Sequence, residues 1–156
     1  MSMLEAGQTA PDFSLPGDSA TKIRMKDFRG RNLVLYFYPK DDTSGCTQEA
    51  KEFSALKGDF EAARTDVVGI SADSAKSHDK FKAKHDLGIR LASDEDHGVL
   101  EAYGVWAEKS MYGRKYFGVE RTTFLIDRKG RIARIWRKVK VPGHAAEVLE
   151  AARNLD

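Results

Sequence analysis

The chain is poor in sulfur. One of its 156 residues is a cysteine, Cys46. An intrachain disulfide is therefore excluded, and with it the disulfide-stapled secreted scaffolds and any thiol cycle closed within one chain. Proline is scarce at 4 residues and glycine modest at 13, which excludes collagen-like and linker-like chains. No apolar run approaches the roughly 18 residues of a membrane span. The start, Met1-Ser2-Met3-Leu4-Glu5-Ala6-Gly7, lacks the basic and then apolar regions of a signal peptide. Neither sign of charge dominates, with 26 Lys and Arg against 24 Asp and Glu. A net charge of +2 is too small to argue for nucleic acid or an anionic membrane as the main partner. The expected setting is cytoplasmic and reducing, and the expected organisation is a single domain over 1–156. A chain of this length buries roughly 68–70% of its extended surface and needs no metal or disulfide to fold.

What is present is a succession of apolar runs of two periods. Asn32-Leu33-Val34-Leu35-Tyr36-Phe37-Tyr38 is almost continuously apolar, as a central strand covered on both faces requires, and Pro39 ends its ladder. Ala50, Phe53, Leu56, Phe60 and Ala63 recur at spacings of three and four, predicting one helix. Val67-Val68-Gly69-Ile70 reads as a second buried strand. Ser74 caps a helix anchored by Phe81 and ended by Gly88. Asp94 to Tyr103 reads as a short helix with Asp94 as its cap, and Gly104 to Glu120 as a loop crossing the surface. Thr122 to Asp127 is a strand, Arg131 to Trp136 its half-exposed hairpin partner, and Ala145, Val148, Leu149, Ala152 and Leu155 mark a terminal helix. Strands mixed with helices of these lengths predict a three-layer α/β domain.

Cys46 falls where the first strand hands over to the first helix, in Thr43-Ser44-Gly45-Cys46-Thr47. A free cysteine is often a small buried hydrophobe. This one sits among Thr, Ser and Gly, outside the apolar stripes, at the carboxyl end of a strand, where open α/β sheets form ligand crevices. A helix N-terminus offers unpaired N–H groups and partial positive charge, and both favour the nucleophilic thiolate. The Thr43 hydroxyl either faces the sulfur and accepts from a substrate O–H or caps the helix, two roles that compete for one group. Gly45 allows backbone amides to approach a ligand. Pro39 fixes the chain before this loop and shields the sulfur.

The run Pro39-Lys40-Asp41-Asp42-Thr43-Ser44-Gly45-Cys46-Thr47 resembles the Pro-x-x-x-Thr-x-x-Cys pattern of the peroxiredoxin family. The likeness extends over nearly the whole chain. It runs through Gly7-Gln8-Thr9-Ala10-Pro11-Asp12-Phe13, Ser77-His78-Asp79-Lys80-Phe81, Leu91-Ala92-Ser93-Asp94 and Tyr112-Gly113-Arg114-Lys115. It continues through Glu120 to Asp127 and Gly143 to Leu149, toward the Q-type branch, also called the bacterioferritin comigratory protein group. The resemblance implies a thioredoxin-like fold, a three-layer α/β/α arrangement on a central mixed sheet. It also implies reduction of hydrogen peroxide and organic hydroperoxides with no metal, flavin or haem. By the same resemblance Cys46 is the peroxidatic cysteine, Thr43 orients the peroxide and Arg121 holds the thiolate. Pro39 and Gly45 shape the pocket, and Glu49 orients Arg121.

Two positions depart from the branch. Ser44 stands where proline is common, which leaves the loop less preorganised. Lys51 stands five residues after Cys46, where many members carry their resolving cysteine. The chain thus resembles a one-cysteine variant whose sulfenic acid is reduced by an external thiol: thioredoxin, glutaredoxin or glutathione. A Cys46–Cys46 bridge between subunits is less attractive if the site is a narrow pocket, and the expected state is a monomer or weak dimer. The competing readings are a glutathione-linked or thioredoxin-like exchange protein and a noncatalytic binding or holdase domain. His78, His85, His97 and His144 form no tight metal-ligand spacing, and His78 and His85 are expected at the surface. Arg114-Lys115-Tyr116 reads as a solvated loop or as a contact for a hydroperoxide tail or reductant.

Overall fold

The computed structural model describes residues 3–155. Its central sheet has the order β5-β4-β3-β8-β9. The strands are β3 (Asn32–Phe37), β4 (Thr65–Ser71), β5 (Arg90–Ser93), β8 (Thr122–Ile126) and β9 (Ile132–Trp136). β3, β4 and β5 run parallel, and β8 and β9 join antiparallel on the other side of β3. β3 is central and all six of its residues are buried, as its unbroken apolar run requires. Alternation along it serves two cores. Leu33, Leu35 and Phe37 face one, with Val68, Ile70, Phe124 and Ile126, while Val34, Tyr36 and Tyr38 face the other, with Phe53, Phe60, Phe81 and Leu125.

The second core is roofed by α1 (Ser44–Ala55), α2 (Lys57–Ala62), α3 (Ala75–His85) and α5 (His144–Arg153). The first is closed by α4 (Gly98–Ala102) and by an N-terminal hairpin of β1 (Ser14–Pro16) and β2 (Lys22–Arg24). The chain therefore has the central mixed sheet and two covering layers expected of the thioredoxin-like class. No helix among the described residues is long and apolar enough to cross a membrane.

Several elements differ from the sequence expectation. The stripe from Ala50 to Ala63 is split into α1 and α2 at Leu56, whose φ and ψ of −98° and 6° leave the helical range. Gly58 weakens the helix just beyond the break, yet Phe53 and Phe60 still meet at 5.9 Å between ring centroids. The helix capped by Ser74 ends at Asp86, in the left-handed region at φ 52°, rather than at Gly88. α4 is shorter than predicted and has His97, not Asp94, as its N-cap residue; Asp94 lies ahead of the helix, its carboxylate accepting the Leu100 N–H at 2.8 Å. The largest difference lies over 104–120. That segment is a hairpin of β6 (Trp106–Met111) and β7 (Arg114–Val119), joined by Tyr112 and Gly113 at φ 52° and 77°. Two positive φ values in a two-residue loop match the twist of paired strands. The hairpin exposes Met111, Tyr112, Tyr116 and Phe117, so it lacks the buried face that makes a strand legible from its pattern.

One close approach fixes how β3 and β4 face α1. A Cβ on Gly69 would lie 2.6 Å from Cζ of Tyr36, whose ring is stacked on Phe53 at 4.7 Å. The ring cannot retreat, because both sides are packed. Gly69→Ala is expected to destabilise the fold by about 1–3 kcal/mol through overpacking. Urea unfolding monitored by far-UV circular dichroism measures this, and an unchanged midpoint would contradict it.

Candidate active site

α1 begins directly after the loop that leaves β3. The last ladder bond of that strand runs from the Tyr38 N–H to the Ile70 carbonyl at 3.1 Å, and Pro39, which has no N–H, follows it exposed at the surface. Thr43 is the N-cap residue by backbone geometry, with φ −92° and ψ 158°, and its carbonyl accepts the first helical bond from Thr47 at 2.8 Å. Its side chain does not cap. The hydroxyl donates to the Lys40 carbonyl at 3.0 Å, which turns its lone pairs toward other donors. Of the two roles weighed for this hydroxyl, capping is not the one it plays here.

Cys46 lies in the first turn of α1 and is 1% exposed. Its sulfur accepts a hydrogen bond from Nη2 of Arg121 at 3.3 Å. Nη1 of the same guanidinium donates to Oε1 of Glu49 at 2.6 Å. Glu49 stands three residues after Cys46 on the same helix face, so one arginine reaches both. Gly45 matters for that reach: a Cβ there would come within 3.3 Å of Arg121 Nη2, the nitrogen that serves the sulfur. Arg121 itself sits just ahead of β8 and is pinned on both sides. The Val139 N–H donates to its carbonyl at 3.0 Å, and the Glu120 N–H donates to the Val105 carbonyl at 2.8 Å.

The charges are held in a poorly hydrated place. Burial works against the Arg121 cation, but Glu49 and Cys46 outweigh it and hold the guanidinium above its ordinary range. Glu49 is 1% exposed, and its Oε2 has no hydrogen-bond partner. Burial therefore pushes its carboxyl up to about 7, against the charge and hydrogen bond of Arg121.

The structure thus brings Cys46, Gly45, Glu49 and Arg121 together and places Thr43 and Pro39 on the adjoining loop. Lys51 is exposed and makes no part of this cluster. Among the described residues no group of three His, Cys, Asp or Glu side chains is placed to hold a metal.

Sequence reasoning missed three neighbours. Lys109 on β6 reaches the Val119 carbonyl, and burial, then Arg121, pull its ammonium below the usual lysine range. Asp41 and His78 form a buried pair at 2.7 Å. His78 is not at the surface but fully buried, and His85 is tied to Asp42 at 2.8 Å. An alternating Lys109 in a segment with no apolar face, and aspartates in a polar turn, carry no signal separating them from solvated charge.

Glu49 gives the site a measurable signature. A carboxyl raised in the folded state binds its proton more tightly there, so stability is fullest below about 4.5 and is lost as pH rises toward 7. The unfolding free energy of the parent relative to Glu49→Gln should fall on the order of 3 kcal/mol over that window. Denaturant titrations across the pH range measure the difference, and a pH-independent gap between the two proteins would contradict it.

The chain is similar to known proteins over nearly its whole length. Residues 6–135 match the AhpC/TSA family. Peroxiredoxin Bcp of Bacillus subtilis is 45% identical over 152 residues, covering 97% of each chain. The bacterioferritin comigratory protein of Xanthomonas campestris superposes with a TM-score of 0.89 at 42% identity, covering 96% of this chain and 98% of that one. A cysteine mutant of Xylella fastidiosa PrxQ gives 0.91 at 42% identity, covering 97% and 96%. With a match across most of its length and relatives of this identity over nearly all of it, the chain belongs to the AhpC/TSA family and is a peroxiredoxin of the Bcp, or PrxQ, kind.

Proposed function

We propose that this chain is a thiol-dependent peroxidase in which Cys46 attacks the peroxide and an external thiol completes the cycle. The observation that carries the assignment of roles is the Arg121 guanidinium held between the Cys46 sulfur at 3.3 Å and Glu49 at 2.6 Å. The fixed cation stands where negative charge both begins, on sulfur, and develops, on the departing oxygen. The Xanthomonas campestris relative is named for alkyl peroxide reduction, which is consistent with hydroperoxides as substrates here.

In the first step the thiolate of Cys46 attacks the terminal oxygen of ROOH. An S–O bond forms and the O–O bond breaks. The electron pair leaves on RO⁻, which takes a proton from solvent to give an alcohol, or water from hydrogen peroxide. Sulfur is oxidised by two electrons to the sulfenic acid and the peroxide is reduced by two. Thr43, with its own proton given to Lys40, accepts from the peroxide O–H and fixes the line of attack. Pro39 closes the rim before this loop, and Gly45 leaves room for Arg121 and for the substrate's approach to backbone N–H groups.

In the second step a thiol R′SH condenses with the sulfenic acid, releasing water and forming a mixed disulfide. A further thiol then reduces it. With one cysteine in the chain and an exposed Lys51 in place of an internal partner, both thiols come from outside. Thioredoxin, glutaredoxin and glutathione are the reductants to compare, and the protein acts as one domain, monomeric or weakly dimeric.

Stopped-flow mixing with hydrogen peroxide and no reductant is expected to consume about one equivalent per chain and to leave sulfenic acid trappable on Cys46. Cys46→Ser should abolish the reaction. Arg121→Met should slow it about 10²–10³-fold, the usual loss for removing one charge-stabilising donor. Oxidation of the parent no faster than that of free cysteine would overturn the assignment, and turnover sustained with no added thiol would overturn the external second step.

A further inference from the structure

The loop that carries Thr43 is tied to the body of the protein by one buried polar cluster. The Asp41 carboxylate accepts the Tyr38 hydroxyl at 2.5 Å on Oδ1, and the Ser77 hydroxyl at 2.8 Å on Oδ2. Oδ2 also lies 2.7 Å from Nδ1 of His78, and the Asp41 N–H donates to Asp73 at 2.9 Å. On the other side of the ring, Nε2 of His78 lies 2.9 Å from the Ala92 carbonyl oxygen. The side chains of His78 and Asp41 are 0% and 4% exposed.

A carboxylate and a carbonyl are both pure acceptors. An imidazole buried between them makes both contacts only when both ring nitrogens carry protons. The pair is therefore an imidazolium against a carboxylate, joining α3, β5 and the loop after β3. Thr43 follows Asp41 by two residues, and its hydroxyl is oriented by the carbonyl of Lys40, the residue before Asp41. The direction of the Thr43 hydroxyl thus follows from where Asp41 holds its own peptide. The neighbouring contacts of Asp42 with Lys84 and His85 lie at the surface, where solvent screens them.

We propose that Asp41 and His78 are positioning residues for the reaction at Cys46: the buried ion pair holds the loop that presents Thr43 to the peroxide, and loss of the His78 proton releases that loop. This rests on the peroxidase reading above. The charged and titratable groups facing His78 are Asp41 and Tyr38, from the loop after β3 and the end of that strand, and Asp73 from the loop after β4; β5 contributes only the Ala92 carbonyl. Burial alone would lower the imidazole. The hydrogen bond and charge of Asp41 outweigh it, helped by Ala92 and Asp73, and the net direction is upward. The imidazolium therefore persists to higher pH than that of an ordinary histidine, and the loop loosens where the proton is finally lost.

The experiment compares two reactions of the same sulfur from pH 6 to 9.5. Stopped-flow oxidation by hydrogen peroxide uses Thr43, whereas alkylation by iodoacetamide reads the thiolate without it. The ratio of the two rates in the parent should fall about tenfold with rising pH, as a misplaced positioning group predicts. Its midpoint should match the His78 imidazole titration followed by NMR. In His78→Asn the ratio should be low and flat across the range, with alkylation no slower than in the parent and thermal melts confirming the fold.

A His78→Asn ratio that keeps the parent's pH profile would overturn the proposal. So would a parent ratio unmoved through the imidazole titration, or a neutral His78 ring at pH 6. If the variant does not fold, the parent's ratio set against the NMR midpoint decides alone. Failure of the peroxidase reading looks different: the parent's peroxide reaction would be no faster than that of free cysteine at any pH, whatever the imidazole does.

Discussion

The structure turns on keeping a cation beside a buried sulfur. The guanidinium of Arg121 is the bridge, and little of its surroundings could be rearranged without moving it. It comes from the entrance to β8 and crosses to the first turn of α1, where Gly45 leaves space for one nitrogen and Glu49 fixes the other. Backbone bonds on either side of residue 121 keep the side chain's origin fixed. The sheet order that sets β8 beside β3 is what brings residues 75 positions apart in sequence to 3.3 Å. A charge so placed costs free energy in its desolvation, and the cost is offset only because the carboxylate and the sulfur share one face of one helix.

The same cluster shows what a sequence can and cannot display. β3 and β4 were legible because burial on both faces demands an unbroken apolar run, and α5 because a roof helix demands a stripe. Cys46 and Thr43 were legible because helix N-termini have a local grammar and because the pattern around them is that of a known family. Arg121 was assigned through that resemblance alone. Nothing in its neighbours distinguishes it from an arginine at a strand edge. The β6–β7 hairpin was invisible for the opposite reason to β3: it buries almost nothing, so its pairing is recorded only in the Tyr112–Gly113 turn. His78 was misplaced because its acceptors, Asp41 and Ala92, come from elements 37 and 14 residues away. A histidine's surroundings are a property of the tertiary fold.

Burial of Cys46 also divides the two halves of the cycle by size. A peroxide is small enough to approach a sulfur that is 1% exposed, whereas the sulfur of a protein or tripeptide thiol is carried by a bulkier group. On the proposed cycle, the first turn of α1 and the loop before it shift to admit the thiol of the second step. On that proposal the loop's attachments favour peroxide attack and oppose thiol access, through the same few contacts that orient Thr43.

Gly69 and Tyr36 carry a consequence for how this sequence can vary. Each is tolerable only because of the other: the ring occupies the volume a side chain at 69 would need, and the bare backbone is what allows a ring that large at 36. Phe53, stacked on that ring, joins α1 to the arrangement. Changes at one position are therefore felt at its neighbours, and substitutions among them are expected to be non-additive in stability. Packing at the centre of the sheet is thereby coupled to packing of the helix that bears the reactive sulfur.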